Sequence, residues 1–205
     1  ATALGVLVAL IGGTVLFQFL SGINLGIDSL LMFERTWGRV GVISPGRMGP
    51  PGATSWTLIG LTLVLTSLAG TPEAPGPTYP ARPYIPVLGL LTASISSLSI
   101  IGYIYGASIL YTIPTLTIIA FQTATFILAV SLGLITTVPE RGPIRLISED
   151  SPAGILTRQI VPAIITLPIL VGFMRLAGER AGFYDTAFGS ALRTVIEIAL
   201  FLILL

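Results

Sequence analysis

The apolar positions of this chain come in long unbroken runs, not in the single stripe of a soluble amphipathic helix. From Pro83 to Pro139 no side chain carries a formal charge, a run of 57 residues. A helix rises about 1.5 Å per residue and a bilayer core is about 30 Å thick, so the run is too long for one crossing and predicts a hairpin. Tyr84 to Gly106 reads as one span and Thr115 to Val138 as its return, with the turn in Ala107–Pro114. Further spans read over Ala1–Leu20, Gly52–Gly70, Gln159–Gly178 and Gly189–Leu205, the fifth of them carrying Pro162 and Pro168 as kink positions. Ile23–Phe33 suits a short interfacial helix. Glu34–Pro51 is a loop bearing Arg35, Arg39 and Arg47, and Thr71–Pro83 is a connector whose prolines exclude helix. Glu140–Arg158 is a charged loop in which Ser148–Pro152 predicts a helix N-cap. The expected fold is all-α, a polytopic transmembrane helix bundle of about six spans in one domain over residues 1–205.

The runs also repeat. Shifted by 84 positions, Gly5, Ala9 and Gly13 fall on Gly89, Ala93 and Ser97, and Gly22 falls on Gly106. Shifted by 71, Ala53 falls on Ala124 and Leu61 on Leu132. This is a degenerate tandem helical-hairpin repeat: unit 1 over about 1–70, the connector over 71–83, unit 2 over about 84–138, then a final pair over 139–205. Two spans per unit give both copies the same membrane orientation. Gly5/Ala9/Gly13 and Gly89/Ala93/Ser97 are candidate helix-packing stripes, because small residues let helix backbones approach closely in lipid. Chance similarity among apolar helices is the competing explanation.

Composition sharpens this. The chain is 53% hydrophobic and 9% charged, where soluble domains carry about 25% charged residues. Net charge is +1, which implies no nucleic-acid partner. There is no cysteine and no histidine, so thiolate, imidazole and Ser-His-Asp chemistry are excluded within these residues. Both ends stand in apolar runs, which suggests helices that continue beyond them. Membrane lipids, further copies of the chain or partner membrane subunits are the expected partners. Arginines divide four to five between the two sets of loops, so orientation stays open.

Few residues are candidates for chemistry. Gln18 and Gln122 lie inside spans, where an interhelical hydrogen bond competes with ligand contact. Arg193 and Glu197 are four apart on the last span and share a face, either as a packing pair or as a switch element inside the bundle. Tyr103, Tyr105 and Tyr111 are candidates for a lipid- or quinone-lining set or for an interfacial belt. No catalytic, cofactor or metal site is expected.

Three stretches carry a resemblance. Gly46-Arg47-Met48-Gly49-Pro50 opens a span, Gly102-Tyr103-Ile104-Tyr105-Gly106 closes one, and Ala181-Gly182-Phe183-Tyr184-Asp185-Thr186-Ala187-Phe188-Gly189 precedes the last. Together they resemble the membrane-embedded N-terminal region of bacterial sensor histidine kinases, related forms of which precede PAS, GAF or diguanylate cyclase modules. That family usually has Ser-Pro-Asn-Thr-Ala where this chain has Gly49-Pro50-Pro51-Gly52-Ala53. Arg47, Tyr184 and Asp185 are the candidate loop-motif residues. The resemblance implies a non-catalytic sensory and anchoring region in the bacterial cytoplasmic membrane, relaying a signal through the last span, with kinase or cyclase activity only if an output module follows Leu205. The alternatives are an accessory subunit of a larger energy-transducing or photosynthetic membrane assembly and a small transporter.

Overall fold

The computed structural model describes residues 1–28, 46–107 and 119–204. Among them it is all-helical: α1 (Thr2–Ser21), α2 (Pro50–Ala69), α3 (Tyr84–Tyr105), α4 (Phe121–Thr136), α5 (Gly142–Ser148), α6 (Pro152–Arg180) and α7 (Thr186–Leu204), with a 3-10 turn at Tyr79–Ala81. Five of these helices, all but α4 and α5, are long and apolar enough to cross a membrane. In lipid every backbone polar group must be satisfied within the segment, so uncharged runs of this length resolve as helices. The chain is therefore a multi-pass helical membrane protein.

Local chemistry sets the ends. Pro50 and Pro51 occupy the first turn of α2, where the missing N–H costs nothing. Ser151 caps α6 by accepting a hydrogen bond from the Gly154 N–H at 3.2 Å, as the Ser148–Pro152 stretch predicts. Gly22 and Gly106 end α1 and α3 in the left-handed region, at φ 72° and 62°, a conformation that costs an L side chain about 1–2 kcal/mol.

Several boundaries differ from expectation. Ile23–Asp28 is bends and turns and not the start of an interfacial helix; the rest of that stretch lies outside the described residues. Helix α4 begins only at Phe121, so its 16 residues make a short span. The segment expected to be charged loop contains α5 and the first turns of α6, which reaches back to Pro152. Pro162 and Pro168 lie inside that continuous helix.

The described residues form two compact units, Ala1–Ile144 and Arg145–Leu205. In the first, α1 packs on α2, α3 on α4, and α2 on α3. The duplication is visible in this packing. Gly5, Gly12, Val15 and Gln18 are the buried positions of α1; advanced by 84 they fall on Gly89, Ser96, Ser99 and Gly102, all buried in α3. A Cβ on Gly5 would stand 3.0 Å from Gly60 O and 2.9 Å from Val64 N, and one on Gly89 would stand 3.4 Å from Ser131 O and 2.6 Å from Ile135 Cγ1. Advanced by 71, Gly60 and Val64 become Ser131 and Ile135, so the same contacts recur in both hairpins. The core between them gathers Ile59, Ala124, Ile127 and Leu134, with Trp56 and Phe126 rings 6.2 Å apart. Buried hydroxyls on Ser55, Thr62, Thr92, Ser96 and Ser131 donate to carbonyls three or four residues back, so none is left unpaired.

The packing stripe differs from expectation by one residue. Gly13 is only half-buried and a Cβ there would meet nothing closer than Thr57 Cγ2 at 4.0 Å, whereas a Cβ on Gly12 would press on Thr57 N at 2.6 Å. Ser97 is likewise half-buried beside buried Ser96. Gly5, Gly89 and Ala93 are buried and Ala9 is half-buried; a Cβ on Gly60 would collide with the backbone of Ala9.

Candidate functional site

The end of α1 carries the most polar construction in the first unit. Gln18 is buried, one turn before the helix stops. A lone amide in such a place needs partners, and the turns after Gly22 supply them. Its Oε1 accepts from the Leu25 N–H at 2.7 Å and from Arg47 Nη2 at 2.9 Å, and its Nε2 donates to Asp28 Oδ1 at 3.3 Å. Arg47 also donates through Nε to Asp28 Oδ2 at 2.8 Å and through Nη2 to Asn24 Oδ1 at 2.9 Å. The Arg47 and Asp28 side chains are only 7% and 3% exposed, so this is a buried ion pair. The guanidinium also lies 5.8 Å from the Phe19 ring centre, a further cation–π contact. Beside the pair opens a pocket of about 520 Å³ whose walls include Leu10, Ile11, Thr14, Ile27, Asp28 and Met48. In sequence Gln18 stands inside a span and Arg47 in a loop 29 residues on, and no local pattern joins either to Asp28. The signal available was the uncompensated acid itself, in a chain with few charges.

At the opposite ends of these helices a second arginine is buried. Arg82, in the connector before α3, donates to the Gly70 carbonyl at the end of α2 and to the Glu140 carboxylate beyond α4. That hydrogen bond, opposed by desolvation, holds the Glu140 carboxyl below the usual carboxylate range and raises Arg82 above its own.

In the second unit the Tyr-Asp motif builds the turn between α6 and α7. Tyr184 Oη donates to the Arg175 carbonyl at 2.9 Å. Its ring lies between Gly178 and Gly189, where a Cβ on either would strike it. Asp185 Oδ1 accepts from the Phe188 N–H at 2.7 Å and so caps α7. Phe188 folds back with its ring 5.9 Å from Tyr184. Each motif position thus has a structural task in the turn.

The remaining candidates separate. Arg193 Nε donates to Glu197 Oε1 at 2.7 Å, so the pair forms, yet Arg193 stays 39% exposed and Glu197 21%, on the flank of the hairpin and not sealed inside it. Gln122 is exposed in the first turn of α4, not buried within a span. Tyr103 meets Phe121 edge-on at 5.6 Å; Tyr111 lies outside the described residues. Among the described residues no three acidic side chains converge as a metal site would require. Comparison with protein-family models, with curated proteins and with solved structures finds no match to this chain.

Proposed function

We propose that this chain is the membrane-embedded sensory and anchoring region of a bacterial two-component sensor kinase, set in the cytoplasmic membrane. The observation that carries the reading is the buried Arg47–Asp28–Gln18 network. Its arginine comes from one of the three motifs behind the resemblance. Desolvating two charges costs about as much as their attraction returns, so a buried ion pair is a poor stabilising device and is better suited to fixing one of two arrangements. Here it joins the end of α1 to the segment that enters α2, beside the pocket of about 520 Å³. A signal that favours the opened pair shifts the α1–α2 register. In the second unit, the Tyr184 turn couples α6 to α7, the span through which the resemblance sends the output.

The accessory-subunit alternative rests on small-residue stripes as docking faces. Those faces are occupied within the chain, Gly5 and Gly12 by α2 and Gly89 by α4, which weakens that alternative. The transporter reading needs ionisable groups at a broken helix near the midplane, whereas the buried Arg47–Asp28 pair sits beyond the end of α1.

The test is autophosphorylation of the full-length gene product in nanodiscs. Asp28→Asn, which removes the charge at constant shape, changes the basal autokinase rate, while Arg158→Gln in the second unit leaves it unaltered. A product that takes up no phosphate and copurifies stoichiometrically with other membrane subunits overturns the sensory reading in favour of the accessory one.

A further inference from the structure

The α6–α7 hairpin carries a second, open-sided pocket, of about 240 Å³, lined by Val171, Arg175, Leu192, Arg193 and Ile196, with Tyr184 at its loop end. Two arginines on an otherwise apolar pocket are unusual in a membrane span, where inserting a charge is costly. Glu179 and Glu197 pair with these arginines, yet neither acid lines the pocket. Nor do they use up the donors. Arg175 spends Nη2 on Glu179 and on the Thr186 carbonyl, and its Nε is sealed among protein atoms beside Gly189. Its Nη1 makes no hydrogen bond among the described residues. Arg193 engages Glu197 through Nε alone, which leaves its two Nη groups. A carboxylate or phosphate oxygen is the acceptor that such a guanidinium edge fits best.

The levels of the lining residues give the ligand its shape. Arg175 lies five residues before the end of α6 and Arg193 seven after the start of α7, both toward the loop. Val171 and Ile196 lie farther from the loop, toward the middle of each span. Polar head near the loop and apolar chain toward the middle is the arrangement of an amphiphile in one leaflet.

We infer that the pocket between α6 and α7 binds a single anionic amphiphile, its carboxylate or phosphate head held by Arg175 and Arg193 and its chain laid along Val171 and Ile196. The site lies in the second unit and is independent of the sensory reading.

Native mass spectrometry of the full chain, delipidated in neutral detergent, tests it. The probes are palmitate, phosphatidylglycerol, phosphatidylcholine and inorganic phosphate. One adduct of palmitate or of phosphatidylglycerol is expected at affinity at least about tenfold above phosphatidylcholine, and which of the two binds identifies the head group. Arg193→Gln lowers that affinity about tenfold. Ile196→Trp, which fills the pocket and leaves every charge in place, abolishes the adduct without lowering the melting temperature. Equal binding of phosphatidylcholine, an unchanged adduct in both variants, or inorganic phosphate binding as tightly as the lipids overturns the assignment.

Discussion

Gly12 shows what a single position decides in this fold. Thr57 N lies where only a hydrogen can fit, since a Cβ on Gly12 would come within 2.6 Å of it. Gly12→Leu forces α1 away from α2, an overpacking error worth about 1–3 kcal/mol. The melting temperature in detergent should fall by roughly 5 °C or more. Gly13→Leu, one residue along, should move it by less than about 2 °C, because that side chain has open space. Equal losses in the two variants would show that the contact face is misassigned. The sequence displayed the small residues, but a spacing of four picks out Gly5, Ala9 and Gly13. Each residue advances about 100° around a helix, so eight residues drift about 80° off a face and seven only about 20°. Gly5 and Gly12 share a face; Gly5 and Gly13 do not. The same arithmetic separates buried Ser96 from half-buried Ser97 in the second copy. The Asp28–Arg47 pair was illegible for a different reason: its members are 19 residues apart, beyond the reach of any helical periodicity.

At the scale of elements, the α6–α7 turn was legible as a motif but not as a mechanism. Tyr184, Asp185, Phe188 and Gly189 stood out as a loop pattern; the structure gives each a task. The ring needs the bare Gly178 and Gly189, the hydroxyl finishes the Arg175 carbonyl, and the Asp185 carboxylate caps α7. Tyr184→Phe keeps the ring and loses one hydrogen bond, a cost of about 1 kcal/mol. Asp185→Ala loses the cap, also about 1 kcal/mol. Gly189→Val expels the ring and should cost more than either. Hydrogen exchange at Phe188 and its neighbours reads these losses locally: faster exchange in all three variants, fastest in Gly189→Val, is the expected order. Unchanged exchange in Gly189→Val would mean that Tyr184 does not sit between the glycines. The two inner helix ends of the uncharged hairpin differ in how far they could be read. The end of α3 was legible, since the expected span Tyr84–Gly106 matches the helix and its Gly106 cap; the start of α4 at Phe121 was not, because apolar composition runs on across it.

The first unit packs two helical hairpins together, with one buried arginine toward each end of their helices. The two arginines work at different levels of the architecture. Arg47 closes a loop within the first hairpin, between the end of α1 and the start of α2. Arg82 joins the two copies, because its partners are the end of α2 and the residue beyond α4. The second clamp therefore controls docking of hairpin on hairpin, and its acid is titratable. Glu140 has its folded pKa depressed, chiefly by the hydrogen bond from Arg82. A group with a depressed folded pKa contributes stability above its unfolded value, near 4.3 for glutamate, and that contribution fades as pH falls through the lower folded value. Arg82, raised from an already high value, stays charged throughout. Trp56 reports on the docking, since its ring meets Phe126 of the other copy. Trp37 is the sole other tryptophan, so a Trp37→Phe background isolates the signal. In that background the thermal midpoint from Trp56 fluorescence should be level from pH 8 to pH 5 and decline below about pH 4. Glu140→Gln should lower the midpoint at pH 7, by leaving Arg82 with a buried charge and one partner fewer. It should also flatten the acid decline, because the titrating partner is gone. An acid decline of undiminished steepness in Glu140→Gln would show that the clamp does not hold the two copies together.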